Sequence, residues 1–148
     1  LTALIRSLQA DDREQWDALW AGYVEFYETE LSDEQTELTW QRLLDDDFGI
    51  HGLVAEVDGQ LAGLAHFSFS LSTWNVAPDL YLEDLFVDSS VRGQGIARSL
   101  ILRLADIATE TGSRKVWWET QAHNEVARRL YDSVGELSEF VKYTKSVN

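Results

Sequence analysis

Between Tyr81 and Ile101 the sequence reads YLEDLFVDSSVRGQGIARSLI. A strand-like run of apolar and acidic residues passes through two glycines, one residue apart, and straight into a helix-like run. This junction constrains the fold more than any other stretch. A loop that opens a helix leaves several backbone N–H groups without partners, and they converge with the positive end of the helix dipole, which makes an anion site. Gly93 and Gly95 lack the Cβ that would hold a phosphate away from the main chain. A P-loop requires Gly-Lys-Ser/Thr after its spacer, and none follows. A dinucleotide turn requires a third glycine where Arg98 stands, although Glu119 imitates the ribose acid of such a fold. A plain tight turn is the ligand-free alternative.

The flanking pattern supplies the rest of a layered domain. Residues 2 to 8 read as a short first strand, followed by Asp11 and Asp12 as helix-start signals. Trp16, Leu19, Trp20, Tyr23 and Tyr27 recur at steps of three and four, an aromatic stripe on one helical face that packs a core or lines a pocket. SDEQTELTWQRLL reads as a second helix with Ser32 or Asp33 near its cap. Asp58-Gly59, between two apolar runs, predicts a two-residue hairpin, because both turn positions favour positive φ. In the second arm Ala65, Phe67, Phe69 and Leu71 alternate with His66, Ser68 and Ser70, which predicts one buried face. LYLEDLFV is a further strand, Gly95 to Thr111 a helix stopped by Gly112, RKVWWET a strand, NEVARRLYDSVG a helix capped by Asn124, and EFVKYTKSV a final strand. The order β, α, α, three strands, α, β, α, β predicts an α/β chain with a mixed sheet and a crossover from Val87 to Val116.

Composition narrows the function. A chain of 148 residues fits one domain spanning 1–148, able to bury roughly two thirds of its unfolded surface. Without cysteine there is no thiolate catalysis or zinc-thiolate site, and three scattered histidines give no metal-ligand spacing, so no metal is expected. No apolar stretch approaches membrane-spanning length, and the N-terminal residues lack the basic-then-apolar order of a secretory signal, so a cytoplasmic protein without membrane contact is expected. Residues 1–50 hold 13 acidic and 3 basic side chains and carry −10 of the net charge of −14, which argues against a nucleic-acid partner.

The motif R-x-x-G-x-A at Arg92, Gly95 and Ala97, after the strand LEDLFV, resembles the acyl-CoA pyrophosphate loop of the GNAT superfamily of N-acetyltransferases. HNEVARRLYDSVG is similar to that family's second cofactor element. YLED and LYDSVGELSEFVKYTK resemble the branch of polyamine, diamine and yeast histone/polyamine acetyltransferases. Ala97, where many members have glycine, is an accepted variant; Glu136 replaces an aromatic residue at the final hairpin. The resemblance implies a mostly antiparallel sheet splayed at a cofactor cleft, with helices on both faces, and acetyl-CoA as cosubstrate. It implies that Leu85, Phe86 and Val87 pair with pantetheine and polarise the thioester carbonyl. Arg92, Gly93, Gln94, Gly95, Ile96 and Ala97 would hold the pyrophosphate, with Asn124, Ala127 and Tyr131 along the pantetheine arm. A homodimer, formed in some members through the last strands, is also implied.

Acetyl transfer to an amine needs a proton acceptor, an oxyanion donor and a proton for the leaving thiolate. Tyr131, two helical turns beyond Asn124 and on the same side, is the natural acid; its alternative is packing beside Leu130. Strand alternation sends Glu83 and Asp84 to opposite faces, and the resemblance favours Glu83 as a base working through water, with Asp84 and His66 in reserve. Tyr27, Glu28, Trp74 and Glu83 are the expected substrate contacts. The cluster Glu25, Glu28, Glu30, Asp33, Glu34 and Glu37 points to a small cationic amine such as a polyamine, or a lysine side chain in a basic peptide. An amino acid or antibiotic amine is the alternative acceptor, and a non-catalytic acyl-CoA-binding module the alternative function.

Overall fold

The structure, a computed structural model, describes residues 2–148. Its centre is a five-stranded sheet in sequence order, β1 (Leu4–Ser7), β2 (Ile50–Val57), β3 (Gln60–Ser70), β4 (Asp79–Val87) and β5 (Val116–Trp117). The first four strands pair antiparallel, and β4 pairs β5 in parallel. Helices α1 (Arg13–Phe26) and α2 (Asp33–Leu44) cover one face; α3 (Ile96–Thr111) covers the other, with α4 (Glu125–Val134) beside it. This is the mixed α/β architecture that the element order predicts, with the mostly antiparallel sheet that the resemblance implies.

Local chemistry accounts for the boundaries. Asp58 and Gly59 turn the β2–β3 hairpin at φ 51° and 79°. Ser32 Oγ accepts from the Gln35 N–H to start α2, and Gly112 stops α3 at φ 82°. Arg6 grips Asp12 with two hydrogen bonds of 2.9 Å, tying β1 to the start of α1. Two cores result. On the α3 face Leu53, Ala65, Leu80, Leu82, Leu100 and Leu104 pack together; on the α1–α2 face Trp16, Leu19, Trp20, Trp40 and Leu64 do so.

Three expectations are corrected. The second hairpin arm has no single buried face: from Leu61 to Phe67 both faces are buried, because helices cover each side, and Leu71 falls beyond the strand in solvent. The strand expected over RKVWWET shortens to Val116–Trp117, and residues 136–148 form no strand, since so short a β5 leaves little edge to pair with. The third correction lies in β4. His66 pairs with Asp84 and Phe67 with Leu82, so Glu83 is the extra residue of a β-bulge. The bulge reverses the strand's polarity: Leu80 and Leu82 face the α3 core before it, Leu85 and Val87 after it. Asp84 and Phe86 are thereby turned toward α1 and α2.

Candidate functional site

Beyond Tyr81 the strands β4 and β5 part. Their pairing ends at Leu80↔Val116 and Tyr81↔Trp117, which leaves the main chain of Leu85, Phe86 and Val87 without a neighbour on that edge. At the open end the chain turns through Arg92, whose Nε donates to the Val87 carbonyl at 3.0 Å, and Gln94 is exposed in the loop. Gly93 and Gly95 adopt φ 79° and 82°, and a Cβ on either would meet nothing within 4 Å. The first-turn N–H groups of α3, from Ile96 and Ala97 onward, face this open space. A cleft edged by free strand N–H and C=O groups, ending in a bare helix N-terminus, fits an extended amide-bearing chain that terminates in phosphates. Among the described residues no group of three or more His, Cys, Asp or Glu side chains is placed to hold a metal, and no helix is long and apolar enough to cross a membrane.

On the far wall of the cleft, Asn124 caps α4: its Oδ1 accepts from the Ala127 N–H at 3.3 Å, and its Nδ2 lies 3.5 Å from Thr120 Oγ1. Tyr131, on the same helix, stands edge-on to Trp118 with ring centroids 5.5 Å apart. Burial raises its phenol above the ordinary tyrosine range, with a smaller push from Tyr27. The Tyr27 ring in turn lies 4.9 Å from that of Tyr23. Tyr23 is likewise held protonated, first by burial and then by the charge of Asp84.

Glu83 and Asp84 both line one cavity of about 510 Å³ between β3–β4 and α2. Alternation would have separated them; the bulge brings them together. Glu83 is exposed to the cavity and its carboxyl is raised above the usual range, first by desolvation and then by the charge of Asp84. Asp84 is buried and bonded to His66 Nδ1 at 3.0 Å, while His66 Nε2 accepts from Trp16 Nε1 at 3.1 Å. His66 is therefore no ordinary sheet-face residue. Trp20 also lines the cavity, with its buried Nε1 unpartnered among the described residues.

From α2 the cavity receives Gln35, Thr39 and Arg42. The Arg42 guanidinium lies 4.5 Å over the Phe48 ring and makes no ion pair among the described residues. Sequence reasoning missed these three, although their spacing of four and three is one helical face. Of the expected substrate contacts, Tyr27 stands near Tyr131, Glu28 follows α1 at φ 52°, and Trp74 is exposed in the loop before β4. None of the three lines the cavity of Glu83. Nor do the carboxylates of the α1–α2 cluster: Glu25 borders a second cavity beside Phe86 and Arg92, and Glu37 bonds to Arg13.

Comparison with known proteins agrees with this geometry. Residues 13–135 match the model of the acetyltransferase (GNAT) family. The D-amino-acid N-acetyltransferase of Saccharomyces cerevisiae is 30% identical over 97% of this chain and 90% of its own. The thialysine N-epsilon-acetyltransferase of Bos taurus is 32% identical over 75% of this chain and 72% of its own. The solved structure of AAC(6')-Iy in complex with the bisubstrate analogue CoA-S-monomethyl-acetylneamine superposes on all of both chains with a TM-score of 0.85 at 22% identity, a likeness of fold.

Proposed function

The chain belongs to the GNAT acetyltransferase family and is an acetyl-CoA-dependent N-acetyltransferase, and we propose that its acceptor is a small primary amine that also carries a carboxylate, as an amino acid does. The observation that carries this reading is the composition of one cavity, where Glu83 and Asp84 share the walls with the unpaired cation Arg42. A zwitterion needs both signs: carboxylates for its ammonium, and a planar guanidinium for its carboxylate. The yeast relative, named for D-amino acids, and the bovine one, named for thialysine, support the same choice.

Acetyl-CoA supplies an activated acyl carbon and a thiolate leaving group. Arg92 to Ala97 are assigned the pyrophosphate, Leu85 to Val87 the pantetheine amides, and the strand N–H groups there the oxyanion. Glu83 accepts the proton that frees the amine for attack, directly or through one water. The new C–N bond forms as the C–S bond breaks, and the sulfur leaves with the proton of Tyr131. Of the two protons the ammonium loses, one passes through Glu83 to solvent and the other, released from the new amide nitrogen, restores the proton that Tyr131 gave to the sulfur. Burial supports these roles: it gives Glu83 more affinity for a proton than a free glutamate has, and keeps the proton on Tyr131 at neutral pH.

A competition assay with acetyl-CoA offers D- and L-amino acids, their amides, spermidine and a basic peptide, and mass spectrometry reads which gains an acetyl group. Amino acids are the preferred acceptors. Arg42→Gln raises their KM about tenfold, the effect of losing one charge-assisted hydrogen bond, and leaves the KM of the amides unchanged. Preference for spermidine or the peptide, with Arg42→Gln silent, returns the acceptor to the cationic class that the acidic cluster suggested. Binding of acetyl-CoA without turnover of any amine returns the chain to a non-catalytic module. We further propose a homodimer formed through residues 136–148, whose apolar side chains find no cover within the chain.

A further inference from the structure

We propose that Trp16 and His66 are positioning residues that commit Asp84 to a hydrogen bond, so that Glu83 alone of the two neighbouring carboxylates takes the amine's proton. This rests on the reading of Glu83 as base. The groups that face the two ring nitrogens of His66 differ in what they can donate. An indole N–H only donates, so the 3.1 Å contact from Trp16 Nε1 requires a lone pair on His66 Nε2. The ring's hydrogen is then on Nδ1, and it points at Asp84 Oδ2, 3.0 Å away. The opposite tautomer would set two N–H groups against each other on one side and leave a bare lone pair facing a carboxylate on the other.

Burial makes this choice costly to reverse. Trp16 is fully buried, His66 is 4% exposed and Asp84 8%. The imidazole packs against the edge of the stacked Trp16–Trp20 pair, with centroids at 6.0 and 5.1 Å. Beneath it Gly52, its register partner in β2, offers no side chain: a Cβ there would lie 3.7 Å from the imidazole Cδ2. Asp84 is thus engaged by the imidazole N–H, while the Glu83 side chain, lifted out by the bulge, makes no hydrogen bond among the described residues. Of two adjacent carboxylates one is committed and one is free. The bulge supplies the direction and the Trp16–His66 pair supplies the commitment.

The tautomer is read directly by long-range proton–nitrogen spectra of the folded protein labelled at histidine. Wild type shows the Nδ1–H pattern for His66. Turnover is followed as thiol release from acetyl-CoA with D-lysine and spermidine offered together. His66→Asn, whose amide nitrogen stands where Nδ1 stood, keeps the bond to Asp84 and holds kcat near wild type. His66→Leu keeps neither bond and loses about 10- to 100-fold in kcat, the usual scale for an orienting partner, with acetyl-CoA affinity unchanged. An Nε2–H ring in wild type overturns the proposal, as does His66→Leu turning over as fast as His66→Asn in folded protein. Wild-type turnover in Glu83→Gln removes the base assignment and with it the role given to Asp84, whereas a failure confined to the His66 series leaves Glu83 in place.

Discussion

Tyr131 meets two demands that a single substitution separates. Its ring packs edge-on against Trp118, and burial holds the proton that the proposed mechanism gives to the leaving sulfur. Tyr131→Phe keeps the ring and removes the proton. The melting temperature and the acetyl-CoA affinity therefore stay within error of wild type while kcat falls about a hundredfold, the contribution of a positioned acid. Unchanged turnover would leave Tyr131 a packing residue only. Glu83 makes the complementary prediction along the pH axis. A base works only when deprotonated, so kcat/KM falls as pH drops through the carboxyl's ionisation. Burial and the neighbouring Asp84 move that ionisation upward, so the acidic limb lies above the ordinary glutamate value of about 4.3. A limb at or below that value, or one that survives in Glu83→Gln, assigns the proton to another group.

At the scale of elements, the glycine junction performs the same kind of separation. Gly95 sits at φ 82° at the start of α3, with open space where a Cβ would project. Gly95→Val therefore puts its Cβ in open space; its cost is the left-handed backbone, which a β-branched residue adopts at about 1–3 kcal/mol, and the methyl groups it places where a phosphate would approach. Calorimetry should record a loss of acetyl-CoA affinity of about tenfold or more in a protein whose circular dichroism is unchanged; full affinity would remove the loop from the cofactor site. This junction was legible because everything it needs is local, as was Asp58-Gly59, where two adjacent positive φ values are dictated by two adjacent residues. The bulge at Glu83 was not. Nothing in LEDLFV marks it, because it exists only as a mismatch of register between β3 and β4, set by what His66 and Phe67 meet across the sheet. Period-two reasoning consequently separated Glu83 from Asp84, and it gave His66 an ordinary place on a sheet face. The missed Arg42 failed for another reason. Its face of α2 was visible as a polar spacing, but which face turns toward β4 is decided by the burial of Trp40 and Leu43 on the adjoining face.

The whole molecule leaves one account open, at its C-terminal segment. Residues 136–148 carry no helix or strand, yet Leu137, Phe140, Val141, Tyr143 and Val147 are apolar or aromatic and between 76% and 91% exposed. Lys142 reaches Glu119 at 3.0 Å, which lays the segment alongside the end of β5, and β5 itself spans two residues with an unpaired outer edge. An exposed apolar run beside an open strand edge is the arrangement a second chain completes by pairing. A second copy of this chain offers the same two surfaces, and a two-fold axis lets each copy's segment cover the other's edge. Burying these side chains contributes about 25 cal/mol per Å², set against the repulsion of two chains that each carry a net charge of −14. That repulsion acts through solvent and is screened over about 8–10 Å at physiological salt, so dimerisation strengthens as salt rises, the reverse of an interface held by ion pairs. Light scattering after size exclusion should give the mass of two chains at micromolar concentration and physiological salt, and a lower mass when salt is removed. Phe140→Glu combined with Tyr143→Glu, at two positions with little contact to the rest of the chain, should yield a folded monomer. A wild-type protein that stays monomeric at every salt concentration, or a double variant that still dimerises, would mean that the segment serves the chain in some way other than self-association.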